Sequence, residues 1–399
     1  MVSRKKKSKR KIRKKSLQSG DRIILIFTIL MIVFGAMMIF DASMYVADQT
    51  FDDKFHFLFL HLQWLAIGLV IATLIYLWDY HKILKLSVPA LVIIISLLLL
   101  VLIAGEEING AKRWFAIGST TIQPAEFAKI AVILYLTSWL SKQKFQYKTL
   151  TSAFKDGFGK HLLNFGAILA SIAVLIILEP DLGTTMVICA TAFLMFLISG
   201  ENRVHTAITM VSAVVLGLPL VTIAAIIEPY RLERIQTYLQ LLFQGNVADP
   251  QGSGYQMQQI LIGVGSGGFF GKGFGQSRQR FGYLVENTAF TDSTFAILLE
   301  ELGFLGGSIL IATWIIFFLR GLKIAQNAPD KEGRLLAIGI VVWLTMQAFL
   351  NIGANVGLIP FTGMPLPFFT YGGSSTLVTL IGIAILLNIS RYTKLNGKH

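Results

Sequence analysis

Long apolar runs alternate along the chain with short polar segments. Residues 23–40 and 86–104 contain no charged side chain, and several other runs have a similar length. A helix of about 20 apolar residues crosses the hydrocarbon core of a bilayer, which is about 30 Å thick. The pattern therefore predicts an all-α, polytopic membrane protein with about ten transmembrane helices. The predicted spans are residues 23–40, 56–78, 84–104, 124–140, 161–178, 182–199, 207–227, 292–320, 335–353 and 375–390.

Composition supports this class of protein and excludes others. Hydrophobic residues make up 54% of the 399 residues and charged residues only 14%, which is too apolar for a soluble domain. The first apolar run is long and has no clear cleavage site, so we expect a retained anchor and not a signal peptide. The single cysteine, Cys189, lies inside a predicted span, which excludes a disulfide framework and a cysteine-based metal site.

The positive charge is distributed unevenly along the chain. The formal net charge is +13, and most of the 35 Lys and Arg residues fall in segments that are cytoplasmic if the N-terminus is inside. Such an asymmetry is what the positive-inside rule predicts, so both termini are placed in the cytoplasm and nucleic-acid binding is not expected. We divide the chain into a basic tail (1–21) on anionic headgroups, a membrane domain (22–391) with a large outer loop (228–291), and a second tail (392–399).

The large outer loop combines glycine with positive charge. Seven glycines fall between residues 263 and 275, and Lys272, Arg278 and Arg280 lie in or near this stretch. Glycine-rich backbone with nearby cations can bind phosphate oxygens, but a flexible loop explains the glycines equally well. The string GKGFGQ is not a Walker A motif, because no Ser or Thr follows the lysine. Upstream, YRLERI predicts an amphipathic helix with Arg231 and Arg234 on one face.

Four carboxylates surround the start of the eighth span: Glu286, Asp292, Glu300 and Glu301. A continuous helix over residues 292–320 would be about 43 Å long and would project beyond the outer membrane boundary. Asp292 could cap that helix or act in catalysis. Glu300 and Glu301 could be interfacial solubilising residues or partners for nearby cations.

Further candidate residues lie in the outer loop between the third and fourth spans. In AKRWFAIG, we expect Lys112 and Arg113 to face headgroups beside two aromatic anchors. In QPAEFAK, Glu126 and Lys129 are three residues apart on one helical face, either as a structural ion pair or as ligand contacts. EPDLGT predicts a tight turn between the fifth and sixth spans.

These motifs, in this order, resemble the SEDS family (shape, elongation, division and sporulation), whose members FtsW and RodA build bacterial peptidoglycan. The matching segments are NGAKRWF, QPAEFAK, EPDLGT, YRLERI, DPQGSGYQ, GSGGFFGKGFGQSRQRFGYL, TDSTFAILLEELGFLGG and PFTGMPLPFFTYGGSS. They extend from about residue 109 to residue 375, and the ten-span layout is also that of the family. SRQRFGYL and YRLERI favour the division-type FtsW branch, whereas TGMPLPFFTYGGSS is closer to RodA.

The resemblance implies a peptidoglycan glycosyltransferase that polymerises lipid II at the outer face of the cytoplasmic membrane. The family's essential acid, a general base, corresponds to Asp292. The sequence LVENTAFTD departs from the family pattern, with Val285 in place of proline and about two extra residues, so Glu286 is the alternative acid. Substrate pyrophosphate requires positive charge, for which the candidates are Lys112, Arg113, Lys129, Lys272, Arg278 and Arg280.

The resemblance also implies partners. A class B penicillin-binding protein with transpeptidase activity and other division or elongation proteins are expected, in addition to lipid II and the membrane. No metal site made by protein alone is visible, although Mg²⁺ or Mn²⁺ held partly by substrate phosphates is compatible with the sequence. The alternatives are a lipid II flippase and a non-catalytic scaffold that recruits a transpeptidase. A flippase would require ionisable groups near the bilayer midplane, whereas the candidates here lie at outer span ends.

Overall fold

The computed structural model describes residues 19–108, 111–118, 120–145, 149–155, 157–200, 202–217, 222, 229–244, 254–281 and 289–393. Within them the chain is mostly helical. A π-helical segment, Ala213–Gly217, continues α9. The helices are α1 (Arg22–Phe51), α2 (His56–Leu77), α3 (Tyr80–Leu84), α4 (Ser87–Ala104), α5 (Pro124–Leu140), α6 (Leu150–Lys155), α7 (Phe158–Leu178), α8 (Leu182–Ser199), α9 (Arg203–Ser212), α10 (Pro229–Gln244), α11 (Tyr255–Gly267), α12 (Thr294–Gln326), α13 (Lys331–Asn355) and α14 (Gly373–Ser390).

The predicted helical membrane architecture is confirmed. Eight of the described helices are long and apolar enough to cross a bilayer: α1, α2, α4, α7, α8, α12, α13 and α14. The fourth predicted span is the 17-residue α5, with the predicted bounds. The seventh predicted span is described only in part, by α9 and the π-helical segment, because residues 218–221 and 223–228 lie outside the described residues.

A small antiparallel sheet, not predicted from the sequence, joins α4 to α5. Its strands are β1 (Glu106–Ile108), β2 (Ala111–Ile117) and β3 (Thr120–Ile122), in that order. Phe115 pairs with Ile122 in its second ladder. Paired strands satisfy the backbone hydrogen-bonding groups of this outer segment, which would otherwise lie unpaired beside the membrane. The sheet holds Lys112 and Arg113 on β2.

The helices are arranged around α13 and α14. These two helices are mostly buried inside the protein, whereas α1, α2, α4 and α7 expose long apolar faces of the kind that contact lipid. Side chains at the C-terminal end of α14 cap the C-terminal end of α2. Asn388 donates to the carbonyl oxygen of Tyr76 at 2.7 Å. Arg391 donates to the same oxygen, also at 2.7 Å. These bonds satisfy a carbonyl in the last turn of α2 that has no partner within its own helix.

Helix α12 is interrupted at Gly303, so the length of about 43 Å calculated for a continuous helix does not apply. Gly303 has φ 65° and ψ −168°, a conformation that only glycine adopts readily. The carbonyl groups of Glu300 and Glu301 accept instead from the backbone of Lys272 at 3.0 Å and Gly273 at 2.9 Å. The break is therefore stabilised by the glycine-rich loop.

The same loop also accepts hydrogen bonds from the backbone N–H groups on the C-terminal side of the break. The N–H groups of Phe304 and Leu305 donate to the carbonyl oxygens of Gly268 and Phe269 at 2.9 and 3.1 Å. The close approach depends on glycine, because a Cβ atom added at Gly271 would lie 2.1 Å from the carbonyl oxygen of Glu301. Several of the clustered glycines thus have a packing role, which explains their density without a bound phosphate.

Candidate active site

Asp292 lies in the turn immediately before α12, and its backbone is held by α13. The side-chain amides of Asn351 and Asn355 donate to the carbonyl oxygen of Asp292 at 2.8 and 3.0 Å. The hydroxyl of Thr370, from the last outer loop, donates to the carbonyl oxygen of Thr291. Such bonds fix the peptide on both sides of the aspartate and do not involve its carboxylate.

The Asp292 carboxylate is half-buried and has few partners of its own. Its Oδ1 accepts from the Thr291 hydroxyl at a long 3.3 Å. Its Oδ2 lies 3.4 Å from the position that a Cβ atom on Gly363 would occupy, so the last outer loop passes directly over it. The helix cap is Ser293, and no side chain caps α12. The interpretation of Asp292 as a helix cap was therefore wrong.

The environment of Asp292 changes its pKa. Burial raises the pKa of this carboxyl to about 6, which the positive charge of Arg234 and local hydrogen bonds only partly oppose. A carboxylate with that pKa is ionised at neutral pH and is a stronger base than an exposed aspartate. This is the property that a general base requires.

Arg234 is a site residue that the sequence did not identify as such. It lies on α10, and its Nη1 donates to the carbonyl oxygen of Phe361 at 2.9 Å. The guanidinium also lies 5.7 Å from the Phe361 ring centroid. Arg234 therefore anchors the last outer loop beside Asp292. Its place in the YRLERI motif was the available signal.

Three amides on one face of α13 connect Asp292 with the predicted pair Glu126 and Lys129. Gln347, Asn351 and Asn355 are spaced four residues apart in the C-terminal half of α13, where most other residues are apolar. Gln347 donates to the carbonyl oxygen of Pro365 at 3.0 Å, and Asn351 donates to that of Met364 at 2.7 Å. The same loop is thus held at adjacent residues. Sequence reasoning missed these amides, although their spacing was visible.

Glu126 and Lys129 form a fully buried ion pair. Lys129 Nζ lies 2.7 Å from Glu126 Oε1 and 2.9 Å from Gln347 Oε1. The second carboxylate oxygen of Glu126 is buried and has no hydrogen-bond partner among the described residues. A buried pair of this kind has a large desolvation cost and is weak evidence for a purely stabilising role.

Two other predicted cations also have carboxylate partners. Lys272 lies 2.5 Å from Glu300 Oε1, and Arg280 lies 2.5 Å from Asp41 Oδ1 on α1. Glu300 and Glu301 are almost fully buried, so the proposal that they are interfacial solubilising residues was wrong. The backbone N–H of Ser277 donates to Glu301 at 3.0 Å. These carboxylates attach the glycine-rich loop to α12.

The remaining predicted cations differ in whether they already have hydrogen-bond partners within the protein. Arg113 donates to the carbonyl oxygens of Glu179 and Pro180, at 2.5 and 2.7 Å, and so holds the outer turn between α7 and α8. Lys112 and Arg278 are exposed, and neither side chain has a hydrogen bond or an ion pair within the described part of the chain. Glu286 lies outside the described residues.

The structure groups the predicted residues only in part. Within the described ranges, no hydrogen bond or ion pair joins Asp292 to any of the six predicted cations. No cluster of three His, Cys, Asp or Glu side chains that could hold a metal ion occurs among those residues. The donor set around Asp292 fits only a divalent cation held mainly by other ligands, such as phosphates.

Comparisons with known proteins give a consistent result. Residues 21–395 match the family model of FtsW, RodA and SpoVE, described as a cell cycle protein. Stage V sporulation protein E of Bacillus subtilis strain 168 is 40% identical over 378 residues, covering 94% of this chain and 98% of that protein. A Legionella pneumophila protein described as probable peptidoglycan glycosyltransferase FtsW is 37% identical over 365 residues, covering 90% of this chain and 88% of that protein.

Solved structures have the same fold. A chain from a structure described as "Structural coordination of polymerization and crosslinking by a peptidoglycan synthase complex" has a TM-score of 0.72 at 26% identity. The match covers 93% of this chain and 98% of that one. The crystal structure of Thermus thermophilus RodA has a TM-score of 0.66 at 23% identity, covering 94% of this chain and 98% of RodA.

Proposed function

The chain belongs to the FtsW, RodA and SpoVE family, and we propose that it polymerises lipid II into glycan strands at the outer face of the cytoplasmic membrane. The observation that carries this proposal is Asp292, a half-buried carboxylate whose backbone is fixed by Asn351 and Asn355. Relatives described as peptidoglycan glycosyltransferases support the reaction class. The chain is a multi-pass membrane protein, as the eight long apolar helices require.

In the proposed reaction, Asp292 acts as the general base. The sugar hydroxyl of the incoming lipid II attacks the anomeric carbon of the growing strand, and its proton passes to the Asp292 carboxylate. The bond from that carbon to oxygen breaks, and undecaprenyl pyrophosphate leaves with the electron pair. Rigid support of the Asp292 backbone keeps the carboxylate in position for this transfer.

The leaving pyrophosphate requires cations, and the described contacts rank the candidates. Lys112 and Arg278 are exposed and unpaired within the described residues, so we assign them the first contacts with the phosphates. Lys272, Arg280 and Lys129 already neutralise internal carboxylates. Mg²⁺ or Mn²⁺, if bound, would be held mainly by the substrate phosphates and would neutralise their charge.

The partner of the proposed enzyme is a class B penicillin-binding protein. The solved chain with a TM-score of 0.72 comes from a peptidoglycan synthase complex, which supports a partner that crosslinks the strands. The identities of 40% and 37% to proteins named for sporulation and FtsW favour that branch over RodA. We therefore propose a role in division or sporulation septa.

The test is polymerisation of purified lipid II by the wild-type protein and Asp292→Asn, each with its cognate transpeptidase. We expect the substitution to lower the rate by at least about 100-fold, because it removes the base without changing the shape of the side chain. Asp52→Asn is the matched control, since Asp52 is an exposed carboxylate in the outer turn after α1. Its rate should equal that of the wild type.

Other results would redirect the assignment. Polymer from a folded Asp292→Asn protein would remove this residue from the base role and favour Glu286. A wild-type protein that binds its transpeptidase but makes no polymer would contradict the proposal. A lipid-flipping assay on the same sample would then separate a flippase from a scaffold.

A further inference from the structure

A cavity lined partly by two arginines lies at the opposite end of α13 from Asp292. It has a volume of about 570 Å³ and is widely open. Arg334 is in the first turn of α13, whereas Asn351 and Asn355, which hold Asp292, are in its last two turns. At 1.5 Å per residue the separation between Arg334 and Asn351 is about 25 Å. The cavity is lined by Gly200, Asn202, Arg203, Thr206, Ala207 and Arg334.

Two arginines give this cavity a positive charge. Arg203 and Arg334 are exposed, and neither guanidinium has a hydrogen bond or an ion pair within the described residues. The carboxylates at the N-terminal end of α13 do not neutralise them, and Glu201, two residues before Arg203, lies outside the described residues. Asp330 already accepts from Tyr80 and from the Gly333 N–H at 2.7 Å each. Glu332 is two residues from Arg334, which places it about 200° around the helix.

The N-terminus of α9 adds to this charge. Arg203 is the first residue of α9, and the Asn202 side chain caps the helix by accepting from Val204 at 3.0 Å. A helix N-terminus carries a partial positive charge that favours anions. A Cβ atom at Gly200 would lie 2.1 Å from the His205 ring, so glycine is required for α8 and α9 to meet closely here. The positive end of α9 therefore lies at the wall of the cavity.

An apolar stripe continues from the cavity along α9 and into the π-helical segment that follows it. Arg203, Thr206 and Ala207 line the cavity, and the residues three to four positions further along α9 lie on the same helical face. These residues are large, apolar and more than half exposed, as expected where a helix contacts lipid. They are Met210 (52%), Val211 (61%), Val214 (64%) and Val215 (61%).

We propose that this cavity binds an anionic phospholipid of the cytoplasmic leaflet. The phosphate lies between the guanidinium groups of Arg203 and Arg334, and the acyl chains run along the exposed face of α9. Guanidinium groups bind phosphate oxygens through paired hydrogen bonds. A soluble phosphate would use the two arginines but would leave the apolar stripe uncovered. The combination of both features therefore favours a lipid.

The test is native mass spectrometry of the full-length protein titrated with phosphatidylglycerol or phosphatidylcholine. We expect tight binding of one phosphatidylglycerol to the wild-type protein and no equivalent phosphatidylcholine adduct. In Arg203→Gln/Arg334→Gln this binding should weaken about 30-fold, because each arginine near a membrane surface contributes roughly fivefold. Arg203→Lys/Arg334→Lys keeps the positive charge but not the paired hydrogen bonds of guanidinium, so it should recover only part of the affinity that the glutamine variant loses.

The matched control is Lys82→Gln/Lys85→Gln, which removes the same charge from exposed positions near α3 at the same membrane face. It should bind phosphatidylglycerol like the wild type. An equal loss in this control would overturn the proposal in favour of diffuse electrostatic attraction. Displacement of the lipid by millimolar inorganic phosphate would also overturn it, because the acyl chains would then contribute nothing. Equal melting temperatures of all variants establish that they are folded.

Discussion

The Asp292 carboxyl illustrates how neighbouring residues adjust one functional group. Burial raises its pKa to about 6, and the Arg234 charge opposes that shift. Asn351 and Asn355 bind the backbone carbonyl and not the carboxylate. The acid is therefore held rigidly without losing its basicity to strong hydrogen bonds.

The pH dependence of polymerisation should follow this carboxyl. Only the ionised form can accept a proton, so the rate should fall about tenfold per pH unit below about pH 6. In Arg234→Gln the opposing positive charge is lost, the pKa of Asp292 rises further, and the fall should begin at a higher pH. Initial rates between pH 4.5 and 8 measure both effects. An unchanged inflection in Arg234→Gln would contradict the assigned influence of this arginine.

Glu179 is a second carboxyl group at the outer face whose pKa is shifted. It is fully buried in the turn after α7, and in the described part of the chain neither carboxyl oxygen has a hydrogen-bond partner. Burial, together with the charge of Asp181, raises the pKa of Glu179 to about 8, which Arg113 only partly opposes. The group is therefore largely protonated at neutral pH.

Stability should reflect this raised pKa of Glu179. A raised pKa in the folded protein means that the contribution to stability is full below about pH 4.5, the value for an unfolded chain, and is lost as the pH rises through 8. In Glu179→Gln, the melting temperature should fall less between pH 5 and 8.5 than in the wild type. Glu107→Gln, an exposed position in the outer sheet, should melt like the wild type. Parallel curves for Glu179→Gln and wild type would contradict the shift.

At the scale of elements, the interrupted helix α12 connects the glycine-rich loop with Asp292. Four backbone hydrogen bonds cross from the loop to the two sides of Gly303. The first segment of α12 begins two residues after Asp292 and ends at this break. Any displacement of the break should therefore move the turn that holds Asp292.

Gly303→Ala tests this arrangement. The added Cβ would lie 2.3 Å from the N atom of Gly271, at a φ of 65°. The backbone strain alone costs about 1–3 kcal/mol, and the clash adds to it. We expect a clear loss in melting temperature and in polymerisation rate. Gly265→Ala is the control, because Gly265 is helical and a Cβ there would meet open space. Its stability should be unchanged or higher by up to about 1 kcal/mol.

At the scale of the whole molecule, the two membrane faces have different chemistry. The outer face holds Asp292 and the loops around it, and the inner face holds the positively charged cavity at Arg203 and Arg334. The distribution of Lys and Arg predicted this orientation from the sequence.

Cysteine labelling tests the orientation directly. In a Cys189→Ala background the chain has no native thiol, so single cysteines report their own location. Lys112→Cys, on the outer sheet, should react with a membrane-impermeable maleimide in intact cells. Lys82→Cys, at a position that is also exposed but on α3, should react only after the membrane is permeabilised. The reverse pattern would invert the topology and exclude an extracytoplasmic Asp292.

The sequence alone determined the membrane class, most span positions, the family and the candidate base. The length of an apolar run and the positions of Lys and Arg indicate how deep each residue lies in the membrane. This information is local, so it can be read without knowing the tertiary structure. The ends of α5 at residues 124 and 140 were predicted for this reason. The ordered motifs identified the family without any knowledge of which helices are neighbours.

Only the tertiary structure decided which polar groups meet. Asn351 reaches Asp292 across 59 residues, and Arg280 reaches Asp41 across 239 residues. Hydropathy places a residue at a depth in the membrane but does not specify the neighbouring helix. The burial of Glu300 and the break at Gly303 depend likewise on a loop packed against α12. A pattern along one helix cannot show that another segment will satisfy its broken hydrogen bonds.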